Sequence, residues 1–257
     1  MWEYYKKHGR HELPWRKTHD PYKILVSEVM LQQTQVERVK PFYEAFVRKF
    51  PTARKLGAAP LSSVLAAWQG LGYNRRAKQL REAAQLVGHG VFPKHAEELE
   101  KLPGIGPYTA RAVLAFAQNQ DVVLVETNIR TAVLHHFFPK RKKVRDEEIE
   151  RVLAAVLPHG RAREWYYALM DYGASLKRSG VKLNAKSKHY AKQSRFAGSL
   201  REARGAILKE LARAPRSGAR LFGLLGDDRR MQLKTALAAL AREGLVEKRG
   251  AVYALAS

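Results

Sequence analysis

The chain has 257 residues with 47 Lys and Arg against 24 Asp and Glu, a formal net charge of +23, 46% hydrophobic residues and no cysteine. That apolar fraction supports a packed core of one large or two ordinary domains and sets aside a disordered basic tail, while the lack of cysteine excludes disulfides, thiolate metal sites, cysteine-ligated iron–sulfur clusters and cysteine nucleophiles. The charge points to a polyanion, nucleic acid ahead of an evenly basic surface or anionic lipid, and no apolar run approaches the roughly 20 residues of a membrane span.

The N-terminus, Met1 to Tyr5, lacks the apolar core of a signal peptide, so a soluble, intracellular protein is expected. Asp20 and Pro21 read as the N-cap and first position of a helix, with an apolar-rich stretch running to Pro41. In Ser27-Glu28-Val29-Met30-Leu31-Gln32-Gln33-Thr34-Gln35, Glu28 shares a helical face with Ile24 and Leu31. A carboxyl group among apolar neighbours has reason to keep its proton near neutral pH, as a general acid must; the same spacing also suits a rim glutamate that reaches water. The neighbouring glutamines could offer amides to base edges or fill a gap in a duplex.

Pro51, Pro60, the Gly70-Leu71-Gly72 turn, Gly88, Gly90 and Pro93 punctuate the next stretch, with helical patterns over Leu61–Gln69, Arg75–Val87 and His95–Leu102. Then comes Leu102-Pro103-Gly104-Ile105-Gly106-Pro107-Tyr108-Thr109-Ala110. Two glycines around one apolar residue let the backbone turn tightly, Ile105 can anchor the turn inward, and the next helix presents its free N–H groups. An ordinary helix connection is the plain alternative; the full nonapeptide in so basic a chain favours a helix-hairpin-helix phosphate clamp.

Further patterns predict helices over Tyr108–Ala117, Asn128–Phe138, Asp146–Leu157 and Arg161–Leu176. Between the first two, Glu126 follows four apolar residues at the mouth of a new helix. Glycosidic-bond cleavage uses two carboxyl groups, an acid for the leaving group and an anion for the cationic sugar. Alternatively residues 126–128 cap the helix, through Thr127 or Asn128. From Lys177 to Gln193 the chain is lysine-rich, a linker or a DNA-hugging loop. Amphipathic patterns over Ser199–Arg213 and Met231–Arg242, then a short hairpin turning at Gly250, make a winged-helix pattern suited to DNA binding or to docking, and no strand-like alternation of useful length appears before residue 244.

Leu13-Pro14-Trp15-Arg16, Ser27 to Gln35, Gly70 to Tyr73, Leu102 to Ala110 and Met170-Asp171-Tyr172-Gly173-Ala174, in this order, resemble the MutY family of adenine DNA glycosylases within the helix-hairpin-helix base-excision superfamily. The resemblance spans about residues 13 to 176. It implies an all-α, two-lobed helix-hairpin-helix fold over 1–176; beyond it the sequence pattern itself gives a basic linker over 177–198 and a small C-terminal winged-helix-like domain over 199–257. Double-stranded DNA with a mismatched or oxidised base pair would be the partner of a monomeric protein, cytoplasmic or nucleoid-associated, with the target adenosine flipped out.

On the family pattern Glu28 is the general acid, Glu126 stands where an aspartate stabilises the oxocarbenium ion, and Asn128 orients these groups. Tyr108 replaces the Schiff-base lysine of bifunctional relatives, which implies a monofunctional glycosylase. Gln33 and Tyr73 match residues that wedge into the duplex, with Gln32, Thr34, Arg75, Gly104, Ile105, Gly106, Thr109, Lys186 and Lys188 as further DNA contacts and Trp15, Arg16 and Leu31 at the base pocket. No cofactor and no catalytic metal are expected; the carbonyls of 102–107 are a candidate seat for a monovalent cation.

Three departures stand out. Glu126 is one methylene longer than the family aspartate, a displacement of about 1.5 Å set against the ångström tolerance of positioned groups. The four-cysteine iron–sulfur loop has no counterpart. A winged-helix pattern stands where larger relatives carry a module resembling nucleotide-pool hydrolases. The leading expectation is excision of adenine opposite 8-oxoguanine or guanine; a thymine or uracil mismatch glycosylase and a non-catalytic lesion-binding protein are the alternatives.

Overall fold

A computed structural model describes residues 1–88, 90–181, 183 and 195–257. In chain order its helices are α1 (Trp2–His8), α2 (Pro21–Leu31), α3 (Val36–Lys49), α4 (Ala53–Ala58), α5 (Leu61–Ala67), α6 (Arg75–Val87), α7 (Ala96–Glu100), α8 (Pro107–Gln118), α9 (Thr127–Phe137), α10 (Asp146–Val156), α11 (Ala162–Arg178), α12 (Leu200–Leu211), α13 (Gly218–Phe222) and α14 (Arg230–Arg242). The strands are β1 (Arg216–Ser217), β2 (Val246–Arg249) and β3 (Val252–Leu255). Asp20 caps α2, its carboxylate accepting from the backbone N–H groups of Tyr22 at 2.9 Å and Lys23 at 3.4 Å.

The chain divides into two compact units. One holds Met1–Glu28, Pro93–Lys101 and the described residues from 105 to 183; the other holds Val29–Phe92, Leu102–Gly104 and the described residues from 195 onward.

In the first unit α8 is buried on nearly all sides, and its alanines at 110, 112, 115 and 117 let neighbours close in. Helix α9 lies along α11 so closely that a Cβ at Gly173 would overlap the Asn128 carbonyl. The absent side chain of one helix thus sets the height of the first turn of the other. Two residues earlier on α11, Asp171 is 2% exposed and binds Arg10 and Arg16, tying the N-terminal segment down. Arg163 completes that tie by donating to the carbonyls of Arg16, Thr18 and Phe116.

The second unit packs α3 to α6 around Phe46, Leu56, Val64, Trp68 and Leu80. Its C-terminal part combines α12, α13 and α14 with an antiparallel sheet ordered β1-β3-β2, the β2–β3 hairpin turning at Gly250, where φ is +59°. This part is three helices with a small three-stranded sheet. It rests on the helices of the same unit through Lys78 Nζ donating to the Glu243 carbonyl at 2.8 Å and Gln69 donating to the Gly205 carbonyl at 3.4 Å.

The all-α reading with a small C-terminal sheet region holds, and local details differ. Pro41 sits inside α3 instead of ending a helix; the break comes earlier, at 32–35, and a proline in the second turn forfeits one intrahelical hydrogen bond. Strand β1 precedes residue 244; two residues are too few to show alternation. Lys177 and Arg178 belong to the last turn of α11, where cations suit the helix dipole.

Candidate active site

Glu28, on the third turn of α2, is only 6% exposed. The Tyr108 hydroxyl donates to its carboxylate at 3.1 Å. Burial pushes the Glu28 carboxyl up to about 7; the Tyr108 hydrogen bond opposes this, Glu126 adds to it by like-charge repulsion, and Arg16 opposes it. At neutral pH the group is divided between acid and anion, the condition for giving and taking a proton in one cycle. Tyr108 is itself raised well above the ordinary phenol range, first by burial and then by the charges of Glu28 and Glu126, so it stays a neutral donor.

Glu126 is the N-cap of α9. Its carboxylate accepts from the Asn128 backbone N–H at 2.7 Å, from Asn128 Nδ2 at 3.1 Å and from the Thr127 hydroxyl. The sequence leaves the cap to Thr127 or Asn128; the extra methylene lets Glu126 curl back and take it, and Thr127 and Asn128 become its donors. The Gly173 contact fixes the Asn128 backbone, so α11 indirectly holds the cap. Lys177, on the last turn of α11, feels the Glu126 charge; burial lowers its ammonium and Glu126 partly restores it.

Arg16 lies 4% exposed, a fork on Asp171 with Nη1–Oδ2 at 2.6 Å and Nη2–Oδ1 at 2.9 Å. Its guanidinium stacks on Tyr167, 4.3 Å from the ring centre. Burial pulls the Asp171 carboxyl up, but the hydrogen bonds and charges of Arg16 and Arg10 outweigh it and hold the group below the usual range. Trp15 is buried beside this cluster in sequence. Arg16 is therefore a support whose positive field reaches Glu28; Asp171, given in the sequence only as part of a motif, and Tyr167 are members of the cluster to which no site role was assigned. A carboxylate paired with an arginine 155 positions away leaves no local signal.

The second unit gathers most of the expected duplex contacts. Gln33 and Tyr73 have φ of +55° and +48°, two of the three non-glycine residues with positive φ among the described residues. Such backbone is costly and persists where the surroundings enforce it. Here the enforcer is Arg76. Buried, it donates to the carbonyls of Val29, Met30, Gln32, Leu71 and Gly72 and to the Thr34 hydroxyl, joining the end of α2 to the Gly70–Gly72 turn. Burial lowers the Arg76 guanidinium to about 10. Arg75, expected as a DNA contact, is exposed, one residue along the helix from the buried clamp. Leu31 and Gln32 are half-buried.

In the hairpin, Gly104 has φ of +76°, and a Cβ there would press on the Gln79 side chain. Gly106, with extended backbone, is the N-cap of α8, and Pro107 opens the helix. Ile105 and Thr109 are buried, whereas Gly104 and Gly106 are exposed. Lys186 and Lys188 lie outside the described residues.

A chain without cysteine does not fit the iron–sulfur cluster of the family pattern, and no step depends on one. Among the described residues no group of three or more His, Asp or Glu is placed to hold a metal ion, and no helix is long and apolar enough to cross a membrane.

The model of the HhH-GPD superfamily of base excision DNA repair proteins matches residues 26–159. The chain is 42% identical over 176 residues to an adenine DNA glycosylase of Mycolicibacterium smegmatis, covering 66% of this chain and 59% of that protein. It is 35% identical over 175 residues to one from Buchnera aphidicola subsp. Baizongia pistaciae, covering 66% and 50%. It therefore spans between half and three fifths of the length of these relatives. Among solved structures it is similar to a thermostable thymine-DNA glycosylase, with 28% identity and a TM-score of 0.55 over 63% of this chain and 77% of that one. A non-covalent endonuclease III–DNA complex, 22% identical with a TM-score of 0.54 over 66% and 80%, shares the fold.

Proposed function

Since the chain belongs to the HhH-GPD superfamily of base excision DNA repair proteins, we propose that it is a monofunctional adenine DNA glycosylase that excises adenine opposite 8-oxoguanine or guanine and leaves an abasic site. The observation that carries this reading is the buried Glu28 carboxyl, raised to about 7 and hydrogen-bonded by a neutral tyrosine, with a second carboxylate near enough to perturb it.

Protonated Glu28 delivers its proton to the departing adenine as the bond between the base nitrogen and C1′ breaks, the bonding electrons leaving with the base. The Glu126 carboxylate, steadied by Asn128 and Thr127, faces the positive charge that grows on the sugar. Glu28, now an anion, takes a proton from the water that adds to C1′. The Tyr108 hydroxyl holds the acting oxygen of Glu28 and supplies no amine, so no Schiff base forms and the strand stays intact.

The DNA contacts follow from the same reading. The glycines of the hairpin offer backbone amides to a phosphate, and Gln33 and Tyr73, presented by strained backbone, enter the duplex around the orphaned base. Of the residues that the family pattern gives to the base pocket, Trp15 and Arg16 belong to the first unit and Leu31 to the second; Ile105 and Thr109 support the hairpin, and Gln32, Thr34 and Arg75 are further proposed DNA contacts. The likeness to a thymine-DNA glycosylase favours a pyrimidine mismatch as the second reading. One panel separates them: single-turnover base release from duplexes with adenine opposite 8-oxoguanine or guanine, and with thymine or uracil opposite guanine. Release of adenine alone supports the proposal, and release confined to pyrimidines replaces it.

A further inference from the structure

Tyr73 meets a residue from outside the motifs that carry the family pattern. Arg201, on the first turn of α12, donates from Nη1 to the Tyr73 hydroxyl at 3.2 Å and places its guanidinium 5.6 Å from the ring centre. The buried Arg76 lies 5.3 Å from the same ring. The tyrosine is thus gripped by two cations, one of them borne by the C-terminal segment. It needs the grip: with φ at +48° after Gly72, itself at +73°, its backbone lies outside any helix that could lock its rotamer.

Helix α12 does not depend on Tyr73 for its own place. Arg204, one turn further on, forms a fork with Glu243 at 2.7 and 2.6 Å, and the carbonyl of Glu243 accepts from Lys78 on α6. Gln69 holds the Gly205 carbonyl. These bonds anchor α12 on the helical layer that carries the Tyr73 turn, and all of them lie within one unit.

We infer that Arg201 is a positioning residue for Tyr73, through which the C-terminal segment sets how strongly the enzyme distinguishes the base opposite the target. The inference rests on the functional reading above, in that Tyr73 is taken as a residue that enters the duplex. An aromatic ring contacted by two guanidiniums, one of them also bonded to its hydroxyl, samples fewer orientations, so it enters the duplex beside the opposite base in one geometry. Released from Arg201, it accommodates several.

The test uses the full chain, its Arg201→Ala and Arg201→Lys variants, and duplexes bearing a fluorinated, uncleavable deoxyadenosine opposite 8-oxoguanine, guanine or cytosine. A 2-aminopurine beside the opposite base reports stacking by its quenching. Arg201→Ala should reduce the ratio of affinities between opposite bases by about tenfold, the scale of a shielded cation–ring contact, and should weaken the quenching. Arg201→Lys keeps the charge and should recover overall affinity while recovering the ratio only in part. Two results overturn the inference: an equal loss on every duplex that Arg201→Lys fully restores, which makes Arg201 a phosphate contact, or a wild-type protein with no preference among opposite bases. Because the assay reads binding, it is decided separately from base release; failure to release adenine would count against the proposed function and not against the role of Arg201.

Discussion

Tyr108 donates a hydrogen bond from its hydroxyl to the Glu28 carboxylate at 3.1 Å, and both groups are raised by burial, so the pair exists as a neutral phenol facing an acid that is half-ionised near pH 7. A carboxyl with a raised folded-state value binds its proton more tightly folded than unfolded. Its contribution to stability is therefore full below about 4.5, and it is lost as pH rises through about 7, a difference on the order of 3 kcal/mol. Glu28→Gln should remove that slope and leave a protein more stable than the wild type above pH 7, as urea unfolding at a series of pH values would show. The single-turnover rate of the wild type should fall above pH 7 as the acid is lost. A rate that keeps rising to pH 9 would remove Glu28 from the role of acid.

Glu126 caps α9, and on the proposed mechanism it also faces the cationic sugar. Aspartate is a strong cap, so Glu126→Asp should leave stability within about 0.5 kcal/mol and retain or improve the rate. Glu126→Gln should cut the rate steeply, and Glu126→Ala should also cost about 1 kcal/mol of stability. Thermal unfolding beside single-turnover kinetics distinguishes cap from charge; an unchanged rate in Glu126→Ala would leave Glu126 a cap alone.

Gly173→Ala tests the close approach of α11 to α9. The new methyl group would meet the Asn128 backbone, which cannot swing aside as a flexible side chain would. Overpacking of this kind costs about 1–3 kcal/mol, and here it should also disturb the Glu126 cap and slow base release. A variant with wild-type stability and rate would show that the two helices separate freely.

Arg76→Ala leaves five carbonyl oxygens and one hydroxyl without their shared donor, and the loss should be about 3 kcal/mol or more. Lesion-duplex affinity should drop with it, since the Gln33 and Tyr73 turns lose their common anchor, whereas Arg75→Ala should leave stability within about 0.5 kcal/mol. Chemical denaturation of the two neighbouring variants, read against duplex binding, checks the assignment; equal stability losses would contradict it.

Local signals in the sequence reach far into this protein. The spacing of Ile24, Glu28 and Leu31 places the carboxyl among apolar neighbours, Asp20 and Pro21 open α2, and the extent of α6 is legible from its pattern. What was not legible depends on partners distant in the chain. Asp171 meets Arg10 and Arg16 across more than 150 positions, Gly173 is needed only because α9 comes to lie against it, and Arg201 meets Tyr73 across 128. Arg76 was not picked out because its buried role depends on six acceptors contributed by two stretches, Val29–Thr34 and Leu71–Gly72. The Glu126 cap was missed for another reason: glutamate is an uncommon N-cap, and the donors that make it one are its own two successors.

The most direct test of the account is single-turnover incubation of the wild type and Glu28→Gln with a duplex carrying adenine opposite 8-oxoguanine, scoring strand breaks with and without hot alkali. The account predicts breaks only after alkali for the wild type, and none for Glu28→Gln, which still binds the duplex. Breaks without alkali, or equal base release by both proteins, would contradict it.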